Sequence, residues 1–171
     1  MKKILKELYP YIVIIIVVVL FRTFIATPVR VDGDSMKSTL YNGDILILNK
    51  LDKNYERFDV VVINKKVNGT KTKLVKRIIG LPLENIEYKD NDLYINGEKF
   101  EDVEVSRTSD FSLLELYDKE KIPEDYYFVM GDNRGYSLDS RRYEVGLISK
   151  DEIVGTTSIR IFPFNKIGKF D

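Results

Sequence analysis

The chain of 171 residues contains no histidine, no cysteine and no tryptophan. Without histidine there is no Ser-His-Asp triad and no Cys-His pair. Zinc sites of the usual His/Cys kinds, cysteine-ligated iron–sulfur clusters and disulfides are excluded with them. A hydrolase built from this sequence must use Ser or Thr as nucleophile, with Lys, a carboxylate or a terminal amine as base. An excess of charge is missing too: 27 Lys+Arg face 27 Asp+Glu, for a formal net charge of zero. That balance argues against a general nucleic-acid binder, whose domain is normally strongly basic. The length suits one domain with at most a small subdomain. The lack of cysteine assigns no compartment.

Charge is unevenly placed. Lys2, Lys3 and Lys6 stand against Glu7 at the amino end, and from Tyr9 to Val29 the only charge is Arg22. Roughly 20 mostly apolar residues make a membrane-spanning helix. In lipid even a β-branched run becomes helical, because every backbone group must bond internally. The expectation is a cytoplasmic tip over 1–8, a transmembrane anchor over 9–29 and an extracytoplasmic domain over 30–171. The lysines fix the amino terminus inside, and Arg22 snorkels at the far interface. A cleaved signal peptide fits less well, because Phe24 occupies position −3 of the candidate end at 24–26.

After Val29 short β-rich runs alternate with turn residues. The segments 44–49, 58–64, 73–79, 85–88, 92–95, 126–130 and 153–162 read as strands. Asn42-Gly43, Asn68-Gly69 and Asn96-Gly97 read as turns, the last within a hairpin over 91–100. One helix is predicted, over 109–118, capped by Ser109 or Asp110, with a stripe of Phe111, Leu114 and Leu113 or Tyr117. Helices do not alternate with strands, so a mainly β, antiparallel sheet or barrel-like domain is expected rather than a parallel one.

Three clusters carry possible chemistry. In 31–40 (VDGDSMKSTL), Ser35 follows Gly33 and Asp34 in a turn-prone stretch, where a nucleophile is exposed beside a backbone N–H; a plain turn serine fits equally well. In 73–82 (KLVKRIIGLP), strand periodicity sets Leu74, Lys76 and Ile78 on one face and Val75, Arg77 and Ile79 on the other. Periodicity does not choose between the two cations, but arginine is not deprotonated in proteins, so only Lys76 is a base candidate. Desolvation would lower its pKa towards neutrality; the bland reading is a cation at a sheet edge. In 131–142 (GDNRGYSLDSRR), Asp132, Asn133, Arg134, Ser137, Asp139, Ser140 and Arg141 form a polar loop suited to holding another residue in place. Three arginines there compete for the carboxylates and speak against a metal.

These pieces in this order resemble bacterial type I signal peptidase, of the short Gram-positive kind, a membrane-anchored serine protease with a Ser/Lys dyad. Arg22-Thr23-Phe24, the run 31–36, Thr39-Leu40, 42–44, 76–82 and 131–141 carry the resemblance, which spans about 21–162. It implies that Ser35 is the nucleophile and Lys76 the general base. It implies that Ser137 bonds the Lys76 amine and that the Ser35 N–H is one oxyanion donor. Asp139 and Arg141 become a structural ion pair, and Met36, Leu40, Leu74 and Val75 line small-residue pockets. The implied partners are preprotein signal peptides, cut after Ala-X-Ala sites and bound as an added strand, and the lipid bilayer. No nucleic acid, cofactor or metal is implied, and the protein is expected to be a monomer in the cell membrane.

The chain departs from the family pattern at three places. Gly33 stands where some members carry a second, hydroxyl oxyanion donor. Ser38 replaces the usual Pro, and Leu83-Glu84 replace the common Gly-Asp. The short stretch that follows implies a reduced cap over about 83–123. A silent membrane-tethered binding module of the same fold is the alternative from another class. Self-cleaving repressors lack the apolar run, and penicillin-binding types need Ser-x-x-Lys, which is missing.

Overall fold

The computed structural model describes residues 2–103 and 106–170, with side chains from Leu8 onward. In chain order the elements are helix α1 (Lys2–Phe24), then strands β1 (Ala26–Arg30), β2 (Ile45–Asn49), β3 (Val60–Val67), β4 (Thr70–Gly80), β5 (Ile86–Lys89), β6 (Asp92–Ile95), β7 (Glu98–Phe100) and β8 (Phe111–Ser112). Helix α2 (Leu113–Tyr117) follows, then β9 (Tyr126–Met130), β10 (Ile148–Ser149), β11 (Ile153–Phe162) and β12 (Gly168–Lys169).

Every strand pairing is antiparallel. The larger sheet has the order β1-β2-β11-β3-β4-β9-β10, with β12 alongside β11; the smaller has the order β7-β6-β5-β8. The strand expected over 73–79 is the middle of β4, and the β3–β4 hairpin turns at Asn68-Gly69, both with positive φ. That is the backbone a two-residue hairpin loop needs to match strand twist. Aliphatic residues of β3, β4 and β9 (Val61, Ile63, Ile78, Val129) pack with Ile148 and Ile153 as one core cluster. A second cluster joins Ile79 and Phe128 to Tyr88, Leu93 and Leu113 of the smaller sheet and α2. The two sheets are thus held by a shared apolar seam that runs along β4.

Three expectations are corrected. The apolar segment does not run on to Val29: α1 ends at Phe24, and Ala26–Arg30 pair with β2 from Asn49 back to Ile45. Val29 is buried with Leu48 and Val62, so the sheet claims these residues. Helix α2 starts later than 109, because Ser112, not Ser109 or Asp110, is its N-cap. The Ser112 hydroxyl accepts from Glu115 N while the Glu115 carboxylate accepts from Ser112 N. Phe111 is spent on pairing with Tyr88, and it is Leu113, not Leu114, that enters the core.

The lysines of the basic tip lie outside the described side chains, as does Met1. Among the described residues no helix is long and apolar enough to cross a membrane.

Candidate active site

β9 joins β4 only over Arg77–Gly80. Just before that ladder begins, at Lys76, the flank of β4 is open, and the Lys76 side chain reaches the turn carrying Ser35. Lys76 Nζ lies 2.5 Å from Ser35 Oγ, in a hydrogen bond. The side chain is 2% exposed. Burial pulls its amine down from the ordinary value to about 8; the Asp139 and Asp132 carboxylates oppose this and the Arg141 guanidinium adds to it, but desolvation outweighs them. The shift corresponds to about 3 kcal/mol of preference for the neutral amine. Of the two cations that periodicity left open, the geometry therefore brings Lys76 to the serine.

Arg77, on the opposite face, is buried as well, but against a carboxylate. Its Nε and a terminal nitrogen donate to the two oxygens of Asp132 at 2.9 and 2.8 Å. Thr39 Oγ1 donates to the same carboxylate at 2.6 Å. This ties the far end of the nucleophile turn to β4.

The loop 131–141 grips the turn directly. Asn133 N donates to Ser35 O at 3.0 Å, and Asn133 Nδ2 donates to Asp34 O at 3.0 Å. Gly131 sits where a Cβ would come within 2.2 Å of Ser137 Oγ and 2.3 Å of Ser35 O, so any side chain there would displace the serine. Asp139 accepts from Gly131 N at 3.0 Å and from Arg141 Nε and a terminal nitrogen, each at 2.9 Å. Arg141 also donates to Arg134 O, and Arg134 reaches Tyr88 and Thr108 in the smaller sheet and its flanking loop, with Asp102 as its ion partner.

Ser137 is brought to the site, but its buried Oγ forms no hydrogen bond in the structure. The expected bond to Lys76 is not made, and Lys76 Nζ bonds Ser35 instead. Met36, Leu74 and Val75 line a groove of about 340 Å³ that also contains Ser35 and Lys76, with Val29 and Val31 on its other wall. Leu40 does not line it. That residue is fully buried with Val31, Met36, Leu46 and Val60 beneath the nucleophile turn. The groove runs between β1, paired only with β2, and the stretch of β4 that β9 leaves uncovered.

Residues 4–162 match the family model described as Signal peptidase, peptidase S26. The chain belongs to the signal peptidase family. It is 41% identical over 165 residues to signal peptidase I P of Bacillus subtilis subsp. natto, covering 91% of this chain and 88% of that protein. It is 37% identical to signal peptidase I S of Bacillus subtilis strain 168, over 98% of this chain and 94% of the relative. The crystal structure of a signal peptidase I from Enterococcus faecalis V583 superposes with a TM-score of 0.53 at 34% identity, covering 60% of this chain and 96% of that one. As a signal peptidase the protein is a serine endopeptidase, a hydrolase.

The departures from the family pattern now have a geometry. Ser38 has φ of 104°, which proline, fixed near −65°, does not adopt. The backbone of the turn after the nucleophile is therefore one that a proline at 38 would not allow. Leu83 has φ of 67°, so the bend that a glycine makes easily is kept at some strain. Glu84 secures it, accepting from Leu81 N at 2.7 Å and from Arg57 through both oxygens. Thr39, Asp132 and Asn133 stand out in the sequence only as matching or polar residues. Asp102 gave no signal in the sequence, because nothing in its surroundings there marks it as the partner of an arginine more than thirty residues away.

Proposed function

We propose that the protein is a membrane-bound endopeptidase that cleaves signal peptides from exported preproteins after Ala-X-Ala-type sites, with Ser35 as nucleophile and Lys76 as general base. The observation that carries this reading is the buried Lys76 amine, 2.5 Å from the Ser35 hydroxyl and with its pKa drawn down to about 8. When the amine is neutral, the Ser35 hydroxyl donates to it and loses its proton as Oγ attacks the scissile carbonyl. The resulting ammonium returns that proton to the leaving amine, releasing the mature protein and leaving the signal peptide as an ester on Ser35. Water, deprotonated by the same lysine, then frees the peptide.

Once Ser35 Oγ is esterified, the lysine needs another partner in a dry site. The unpartnered Ser137 hydroxyl supports a role as that partner, holding the amine towards the ester. Asp139 and Arg141 brace the loop that presents it. The Ser35 N–H serves the oxyanion; Gly33 has no hydroxyl to add, so backbone supplies more of this stabilisation than a side chain does. An extended substrate lies in the groove between β1 and β4 and bonds their free edges. Met36, Leu74 and Val75 close around small side chains; Leu40 shapes the pocket only through the core beneath Met36.

Helix α1 is the anchor. The described side chains of α1 begin at Leu8, so this reading adds the first turns of the helix, whose 23 residues run for about 35 Å against a hydrocarbon core of about 30 Å. Residues 9–21 carry no charge, and the side chains from Leu8 to Phe24 stand exposed rather than packed on the domain. Lys2, Lys3 and Lys6 favour a cytoplasmic amino terminus and an extracytoplasmic catalytic domain over 30–171, in which the sheet of β5–β8 with α2 is the reduced cap. Tethering enzyme and substrate to one surface raises their effective concentration. The protein acts as a monomer on this reading, since Ser35, Lys76 and Ser137 all come from one chain.

The test is incubation of the purified protein with a preprotein bearing Ala-X-Ala. Mature protein should appear with the wild type and not with Ser35→Ala. Equal processing by that variant would sink the dyad.

A further inference from the structure

Connections between secondary-structure elements usually run several residues. Between α1 and β1 there is one, Ile25. The end of the helix is held from two sides. Ile25 N donates to Phe21 O at 2.8 Å, and Thr27 Oγ1 donates to Arg22 O at 2.6 Å. Lys50 comes directly after β2, whose Asn49 pairs with Ala26 of β1, and Lys50 N donates to Ile25 O at 3.0 Å. Its side chain turns back onto the helix, where Nζ donates to Arg22 O at 2.9 Å and to Thr23 O at 3.1 Å. The last carbonyls of a helix lack partners within it and carry the negative end of its dipole. An ammonium shared between two of them is a charged cap and, here, also a strut, because its backbone belongs to the sheet.

The strut sits at the only covalent joint between α1 and the catalytic sheet. Phe24, Ile25 and Leu51 stand exposed around it, so no apolar packing fixes the angle in its place. From the joint, the five residues of β1 run for about 17 Å towards the turn that holds Ser35. A pivot of about 20° at Ile25 would move a point that far away by about 6 Å, roughly two residues of extended chain.

We propose that Lys50 is a positioning residue: by clamping the final carbonyls of α1 to the end of β2 it fixes the reach of Ser35 from the bilayer, and so which bond of a membrane-held preprotein is presented to it. This rests on the reading of α1 as anchor and Ser35 as nucleophile given above. A short soluble peptide is not tethered to the bilayer and does not sense that reach. A preprotein held by its own apolar segment does.

The test uses the full-length protein in phospholipid vesicles with two substrates, a preprotein inserted in the same vesicles and a short soluble peptide containing Ala-X-Ala. Lys50→Met keeps the aliphatic stem and removes the donors. It should lower kcat/KM on the inserted preprotein about tenfold and add products cut at neighbouring bonds, a cost in keeping with small misplacements of reacting groups. Its kcat/KM on the peptide should match the wild type, and Lys50→Arg, which can donate to the same two carbonyls, should restore the preprotein rate and the single product. An unchanged rate with a single product on the preprotein overturns the role of Lys50, and so does an equal loss on both substrates. Peptide cleavage by Ser35→Ala would instead sink the reading of the active site, and it is measured where Lys50 has no part.

Discussion

Lys76 and Arg77 are neighbours on β4, both almost fully buried and both bonded to the nucleophile turn, yet their surroundings differ in one respect. Arg77 meets a carboxylate that matches it bidentately, while Lys76 meets a hydroxyl, with the nearest acidic groups acting only at longer range. A buried ion pair stays charged and braces the fold. A buried amine without a carboxylate on it is pushed towards its neutral form, where it can accept a proton. The same strand thus holds a strut on one face and, on the proposed reading, a base on the other: arginine stays charged in either place, and the equally buried lysine has no carboxylate bonded to it.

Replacing each cation by methionine separates the two roles most sharply. Lys76→Met should reduce cleavage by about 10⁴-fold or more, the usual scale for loss of a residue acting as a unit with the nucleophile. The folded protein should be no less stable. Below pH 8 the native state must carry a buried ammonium that the unfolded chain carries in water, and this costs about 3 kcal/mol. Between pH 8 and 10.5 the unfolded state binds the extra proton, so the wild type gains stability as pH rises through that window. Thermal melts at pH 7 should therefore show Lys76→Met at or above the wild-type Tm, with the gap closing above pH 10. A clear loss of stability at pH 7 would show that Lys76 is structural.

Arg77→Met should do the reverse. It leaves Asp132 buried without its main partner, and breaking a buried pair in this way costs about 3–5 kcal/mol. Chemical denaturation should report that loss directly. Activity per folded molecule should fall much less than in Lys76→Met, because Thr39 still bonds Asp132 and Asn133 still holds Ser35 O.

The two faces also differed in how far the sequence revealed them. Alternation over 74–79 placed both cations in aliphatic rows, and the missing histidine made a lysine the natural base beside Ser35. The strands of β4, β6, β9 and β11 and the Asn-Gly turns were legible for the same reason: local pattern and local backbone demand coincide there. What pairs with each cation was not legible, since Asp132 is 55 positions from Arg77 along the chain and Asp102 is 32 positions from Arg134. The end of α1 is not legible because 26–29 carries no charge whether it enters lipid or the sheet, and only pairing with β2 decides. The start of α2 lies later than the pattern suggests because Ser109 and Asp110 suit a cap as well as Ser112 does, and Phe111 is committed to pairing with β5. Leu40 shows the same limit: the resemblance implies a pocket residue, and the side chain instead lies in the core beneath the pocket.

Ser137 tests whether the base face is complete as it stands. Its hydroxyl is buried with no partner, so removing it should cost little or no stability, and Ser137→Ala should melt within a degree or two of the wild type. If the hydroxyl receives the Lys76 amine after acylation, kcat should fall about 10- to 100-fold, the scale of a lost hydrogen bond to a charged group. Burst kinetics with an activated ester should then show acylation less affected than turnover. Full turnover by Ser137→Ala would leave Ser35 as the only partner the lysine needs.

The finest adjustment is in the pH profile. Cleavage should rise with pH and level off through about 8, as the Lys76 amine loses its proton. The Asp139 carboxylate raises the lysine pKa and the Arg141 guanidinium lowers it. Asp139→Asn keeps an acceptor for Gly131 N but removes the negative charge, so the rise should move to lower pH, by roughly half a unit for a charge acting through a partly solvated site. Arg141→Gln removes the opposing charge and should move it up. Opposite shifts from the two members of one ion pair, with similar plateau rates, would mark them as tuning the base through its field. Shifts in the same direction would mean instead that both act by loosening the loop around Gly131, and that the depth of burial of Lys76, rather than the charges near it, sets where the enzyme works.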